Sequence, residues 1–159
     1  MPLALLRVDD RLVHGQVVLG WGRQLGAQFV VLVDDEVRNS VWEQDLYRMA
    51  VPDDLEIIFA SRAEAEAQIG EWAGDARVGM LLTADIATMA AIHDVAPAVA
   101  HHINLGGLHH RPGRIERLRY IYLTASDETA LRGLAARGAD VVAQDLPTTP
   151  AVALDRLLA

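Results

Sequence analysis

The chain contains no cysteine and no lysine. The first absence removes disulfides, thiolate nucleophiles and cysteine-ligated metals, and it leaves the redox compartment unmarked. The second excludes Schiff-base chemistry and a lysine-bearing phosphate loop. All 14 basic residues are arginines, so cationic chemistry falls to arginine, histidine or a metal. Positive charge is also scarce in net terms. With 22 acidic residues the formal charge is -8, and no basic run occurs, which argues against nucleic acid or anionic lipid as the main partner. A small anion at a local arginine site stays compatible with this balance. No apolar run approaches the roughly 20 residues of a membrane span, and "MPLALLRVDD" reaches charged residues too early for a secretory leader. The cytoplasm is the expected compartment.

What is present suits one packed unit. A length of 159 residues, with 52% hydrophobic and 23% charged residues, is enough for a single domain over 1–159 with its own core. Short apolar runs at 3–8, 29–33, 55–60, 77–83, 98–104 and 139–144 read as strands. Between them, "HGQVVLGWGRQLG", "VWEQDLYRMA", "RAEAEAQIGEWA", "ADIATMAAIHDV" and "SDETALRGLAARG" repeat apolar residues at three- and four-residue spacing and read as helices. This alternation predicts an α/β fold with a mostly parallel open sheet and helices on both faces. The partly alternating segment "GRIERLRYIYLT" predicts an edge strand near residues 115–124. Ser126, with Glu128 and Thr129, is expected to open the last long helix and Gly138 to close it.

In open parallel sheets ligands lie beyond the carboxyl ends of the strands, which directs attention to "VDDRLVHGQV" after the first strand. His14 would stand at the mouth of the first helix, beside the unpaired amides of Gly15, Gln16 and Val17, where the helix dipole favours an anion. Gly15 lets an anion approach the backbone, and Arg11 can neutralise it with a fork of donors. A neutral imidazole is nucleophilic near pH 7, so the anion either visits or is a phosphoryl group carried covalently on His14. Asp9 and Asp10 would repel such an anion unless paired with an arginine or accepting the second ring N–H of His14. Asp10 is expected in that orienting role. The plainer alternatives are a solvated capping turn for the aspartates and a capping or core histidine for His14. Asn104, Gly106 and Gly107, at the fifth strand's end, are expected either to line the same phosphate pocket or to form a simple glycine turn.

The stretch "RVDDRLVHGQV" (7–17) closely resembles the active-site segment of the IIB components of the mannose/fructose/sorbose family of the bacterial phosphoenolpyruvate-dependent sugar phosphotransferase system. "VLVDDEVRNS" (31–40), "MAVPDDLEI" (49–57), "NLGGL" (104–108) and "YLTASDETALRGLAARGADVVAQDLP" (122–147) resemble later landmarks of that family in the right order. The resemblance implies a mainly parallel α/β domain whose phosphorylatable histidine maps to His14, with Arg11 as phosphate-neutralising partner. It also implies a phosphohistidine IIA protein as donor, membrane IIC and IID components that hold the sugar acceptor, peripheral association with that transporter, and possible self-association. No cofactor is implied. Leu108 stands where the family often has methionine, and "HHRPGR" (109–114) departs from its pattern.

Other readings compete. A module that keeps the fold but only binds or regulates is the alternative to a transport role. His101, His102, His109 and His110 with Asp9 and Asp10 invite a metal reading and hence a metal-dependent hydrolase. Adjacent strand residues point to opposite faces, however, so His101 and His102 diverge if both lie in the strand, and no metal site is expected. "GWGRQLG" (20–26) lacks the third glycine of a dinucleotide fingerprint by one position and lies inside a helix. Trp42, Tyr47 and Arg48 read as packing or partner-surface residues.

Overall fold

In the computed structural model, which describes residues 3–159, the apolar runs form a seven-stranded sheet. The strands are β1 (Leu3–Asp9), β2 (Phe29–Val33), β3 (Glu56–Ala60), β4 (Gly79–Thr83), β5 (His102–Gly107), β8 (Asp140–Ala143) and β9 (Val152–Ala153), in spatial order β3-β2-β4-β1-β5-β8-β9. All neighbours pair in parallel except β9, which runs antiparallel to β8 at one edge. Alternate residues of β2, β3 and β4 feed two separate cores. Phe29, Val31 and Val33 point to one, Val30 and Leu32 to the other, so β2 is apolar throughout, as a central strand covered on both faces must be.

The helices are α1 (π-helical Gln16–Gly22 continuing as α-helical Arg23–Leu25), α2 (Asp35–Arg38), α3 (Val41–Ala50), α4 (Arg62–Ala73), α5 (Ile86–Val95), α6 (Ala125–Ala136) and α7 (Leu154–Leu157). Residues of α4, α5, α6 and α7 fill the core on one face, and α1, α2 and α3 serve the other. Among the described residues no helix is long and apolar enough to cross a membrane. Caps fix the helix starts. Ser61 and Glu64 form a reciprocal capping box at α4. At α6 the box is made by Thr124 and Asp127, not by Ser126, because the Thr124 hydroxyl already accepts the third amide of the helix. Gly138, at φ 96, ends that helix, and Gly26, at φ 67, ends α1.

Two expectations change. The single edge strand expected over 115–124 is a hairpin of β6 (Ile115–Leu118) and β7 (Ile121–Leu123), separate from the main sheet and tied to the end of β5 by bonds between Leu108 and both Tyr120 and Tyr122. Ile121 and Leu123 bury in the core while Ile115 stays exposed, which produced the partial alternation in sequence. The fifth strand begins at His102, later than expected, because 97–100 form a turn.

The order of strands places one functional feature. The chain leaves β1 toward β2 on one side, whereas it leaves β5 toward β8 on the other. The loops after β1 and β5 therefore diverge and open a crevice between adjacent strands, the place where parallel sheets bind ligands. Leu81 is fully buried in β4, between β2 and β1. Leu81→Ala is expected to cost about 2–5 kcal/mol, read as a lower denaturant midpoint with unchanged slope; a midpoint equal to wild type would contradict this packing.

Candidate functional site

The crevice is built outward from an arginine inside the sheet. Arg7, on β1, has no solvent exposure, and every other residue of its strand except Asp9 at the end is apolar. Its guanidinium donates to Asn104 Oδ1 at 2.7 Å, to the carbonyls of Gln144 at 3.0 Å and Asp145 at 3.1 Å, and to Asp9 Oδ2 at 3.1 Å. Its Nε has no partner, and the indole of Trp21, reached by α1, lies 5.7 Å away. A Cβ on Gly106 would collide with this guanidinium. Asn104 and Gly106 therefore do not line a phosphate pocket. The Asn104 amide is spent on Arg7 and on the Gln144 carbonyl, and Gly106 makes the space in which Arg7 lies.

Asp9 carries the charge to the surface. Residues two apart on a strand share a face, so Asp9 sits above Arg7, fully buried. Arg11 grips it through its backbone N–H at 3.0 Å and its Nε at 3.1 Å, both to Oδ1, and through its terminal nitrogen to Oδ2 at 3.1 Å. His14 Nε2 lies 2.9 Å from Oδ2. Burial alone would raise the Asp9 carboxyl, but the bonds from His14 and Arg11 and the charge of Arg7 outweigh it and hold the group well below the usual carboxylate range. Two guanidinium groups thus flank one carboxylate, and the surroundings of His14 remain positive.

The loop that presents His14 is pinned. The Leu12 N–H closes a turn on the Asp9 carbonyl at 2.9 Å, and Leu12 adopts φ 57, the left-handed region. That conformation costs a non-glycine residue on the order of 1–2 kcal/mol. It is held because the Leu12 and Val13 side chains are buried in the core beneath α1. His14 emerges with its side chain 18% exposed. Beyond it the amides of Gly15, Gln16 and Val17 find no acceptor among the described residues, the Val18 N–H being the first to bond back, to the His14 carbonyl. A Cβ on Gly15 would meet nothing within 4 Å, so the approach to these amides is open.

Asp10 does not orient His14. Asp9 holds that position, and Asp10 turns the other way to accept the His109 N–H at 2.8 Å, to pair with His109 Nδ1 at 2.6 Å and to accept from Arg114 at 3.3 Å. The strand's alternation is the reason, since only Asp9 shares the face of Arg7. Burial would raise the Asp10 carboxyl, and the bonds from His109 and Arg114 lower it below its ordinary value. Asp10 thereby ties the β5 loop to the β1 loop. Gly107 lies between them. A Cβ there would be 3.0 Å from the Arg11 terminal nitrogen, 3.1 Å from Asp9 Oδ1 and 3.1 Å from His109 Cε1.

The remaining histidines scatter. His101 precedes β5, so the condition for divergence is not met and its ring meets that of His102 edge to face at 4.7 Å; His102 lies on Asp140, and His110 packs against Tyr122. Among the described residues no three metal-binding side chains converge. On α3, Trp42 is exposed and borders a shallow groove with Val13 and Leu46, whereas Tyr47 packs on the core and Arg48 lies over the Phe59 ring at 5.1 Å. Arg7, His109 and Arg114 are site residues that sequence reasoning missed. A lone charge inside "LALLRV" was the available signal for Arg7, because a buried guanidinium demands a partner.

Asp9→Asn leaves the buried Arg7 cation uncompensated and is expected to lower unfolding stability by about 3–5 kcal/mol at neutral pH. The folded carboxyl lies below its unfolded value, so its contribution is complete above pH ~4 and is lost as pH falls toward the folded value. Urea unfolding at stepped pH should therefore show the gap between wild type and variant narrowing in acid; a gap constant from neutral to acid pH would contradict the pairing.

Comparison with known proteins agrees with this arrangement. Residues 3–159 match the family described as PTS system sorbose subfamily IIB component. The chain is 28% identical over 159 residues to the N-acetylgalactosamine-specific phosphotransferase enzyme IIB component 2 of Escherichia coli (strain K12), covering 99% of this chain and 100% of that one. It is 24% identical over 152 residues to the mannose-specific EIIAB component of the same organism, covering 94% of this chain and 46% of that protein. The crystal structure of the IIBSor domain of the sorbose permease from Klebsiella pneumoniae superposes with a TM-score of 0.90 at 26% identity, over 99% of this chain and 97% of that one. With the family matched across nearly its whole length, the chain belongs to the sorbose-type IIB components of the sugar phosphotransferase system, which are phosphotransferase domains.

Proposed function

We propose that the chain carries a phosphoryl group on His14 Nδ1, taken from the phosphohistidine of a IIA partner and passed to a sugar held by membrane IIC and IID components at the cytoplasmic face. The observation that supports this most is the 2.9 Å contact between His14 Nε2 and Asp9. A carboxylate only accepts hydrogen bonds, and Asp9 is held in its charged form, so Nε2 carries the proton and Nδ1 the lone pair. Loading forms the N–P bond at Nδ1 as the donor's N–P bond breaks, and no proton need leave His14.

The surroundings suit that transfer. Arg11, with 36% of its side chain exposed, can turn a donor to the phosphoryl oxygens while Asp9 keeps Arg7 beneath it. The free amides of Gly15, Gln16 and Val17 offer further donors. Asp9 also stabilises positive charge on the ring as the phosphoryl group is attached, the part a carboxylate plays beside a reacting imidazole. The IIA donor is supported by the mannose-specific EIIAB relative, whose name joins A and B parts in one chain. The N-acetylgalactosamine- and sorbose-specific names of other relatives point to the class of acceptor.

The test is incubation with phosphoenolpyruvate, the general phosphotransferase proteins and a IIA donor, followed by mapping of the label. An acid-labile phosphate on His14, absent in His14→Gln, is expected; label on another residue, or none with a competent cognate donor, overturns the reading. Arg11→Ala should load about 100-fold more slowly, the loss typical of one preorganised donor, with the fold retained. Loading at the wild-type rate would remove Arg11 from the mechanism.

A further inference from the structure

His109 stands across Gly107 from Arg11 and Asp9, and a set of bonds fixes its ring. Its Nδ1 is 2.6 Å from Asp10 Oδ1 and its backbone N–H donates to the other oxygen of the same carboxylate at 2.8 Å. Arg114 donates to both the His109 carbonyl and Asp10, fixing the pair from behind. The Asp10 side chain is almost wholly buried, while that of His109 is 43% exposed. With Nδ1 turned to a carboxylate, the neutral ring presents its lone pair at Nε2, and Nε2 has no partner among the described residues. Cε1, which lies between the two nitrogens, packs at Gly107 together with the Arg11 terminal nitrogen and Asp9 Oδ1, all three so near that a Cβ there would be crowded. A half-exposed histidine oriented by a buried carboxylate, with no partner for its second nitrogen among the described residues, has the arrangement of a general base.

We propose that His109 takes the proton of the acceptor hydroxyl when the phosphoryl group leaves His14. This rests on the transfer function proposed above and concerns only its second half. Loading from a phosphohistidine moves phosphorus between two nitrogens and releases no hydroxyl proton, so it has no use for such a base. Discharge differs. The sugar oxygen forms its bond to phosphorus as the P–Nδ1 bond breaks, the bonding pair returns to His14 Nδ1, and the hydroxyl proton passes to His109 Nε2. The resulting imidazolium is balanced by Asp10 and returns its proton to solvent. The charged groups that face His109 are Asp10 and Arg114 on either side, and Asp9 and Arg11 across Gly107.

The experiment separates the two halves. Wild type and His109→Gln are loaded from the IIA donor, then mixed with membrane vesicles carrying IIC and IID and offered sorbose, N-acetylgalactosamine or mannose, the sugar that discharges wild type fastest being used for rates. His109→Gln should load within about twofold of wild type but discharge about 100-fold more slowly, the scale of a lost general base. Equal loss in both halves assigns His109 a structural role, and unchanged discharge assigns it none; either overturns the inference while the carrier function stands. If loaded wild type discharges to no sugar, the acceptor reading fails and the inference falls with it.

Discussion

The ion pair between Arg7 and Asp9 is the constraint around which the end of the sheet is arranged. Taking a guanidinium and a carboxylate out of water costs several kcal/mol for each ion, so the pair survives only where the neighbouring backbone and side chains repeat what water supplied. Here β5 contributes the Asn104 amide and the gap at Gly106, and the segment after β8 contributes the carbonyls of Gln144 and Asp145. Three adjacent strands are thereby locked at their carboxyl ends around one cation. Asp9 Oδ2 meets Arg7, Arg11 and His14 together, while Oδ1 accepts from the Arg11 backbone and Nε. The structural pair and His14 share one carboxylate.

That sharing gives the site its electrostatic balance. A lone aspartate beside a phosphohistidine would repel the group it is meant to hold. Flanked by two arginines it instead fixes the ring, sets which nitrogen carries the proton and leaves a net positive surround. The chain as a whole is strongly acidic, so the local cation excess comes from geometry, not from composition. The divergence of the β1 and β5 loops supplies the open space, and Asp10 bridges them by reaching from one loop to His109 on the other.

Much of the fold was legible because periodicity and caps are local signals. The segments 41–50 and 62–73 are helices with the expected ends, and the apolar runs are strands in a parallel sheet. The hairpin of β6 and β7 was not legible, since its turn at Arg119 and Tyr120 carries neither glycine nor proline and its inner residues resemble one longer strand. Within the site, His14 and Arg11 stood out by residue type and spacing. The choice between Asp9 and Asp10 needed strand parity, because Arg7 and Asp9 lie on one face while Asp10 faces the other loop. Asn104 and Gly106 were placed at the right strand end but given the wrong neighbour, because nothing in sequence shows that Arg7 passes beneath them. His109 and Arg114 meet Asp10 across about 100 positions of chain, a contact that only the topology creates.

The turn at Leu12 has a consequence for how a carrier works. A glycine would adopt that backbone without strain, yet it would forfeit the buried side chain that moors the loop. Leucine therefore exchanges local comfort for immobility. In the transfer proposed above, a phosphoryl group reaching His14 would meet a loop moored by a buried side chain, which favours little rearrangement of the host. A relay that must both receive and surrender its cargo needs such low reorganisation, because a site that relaxed around the loaded form would hold what it is meant to give away.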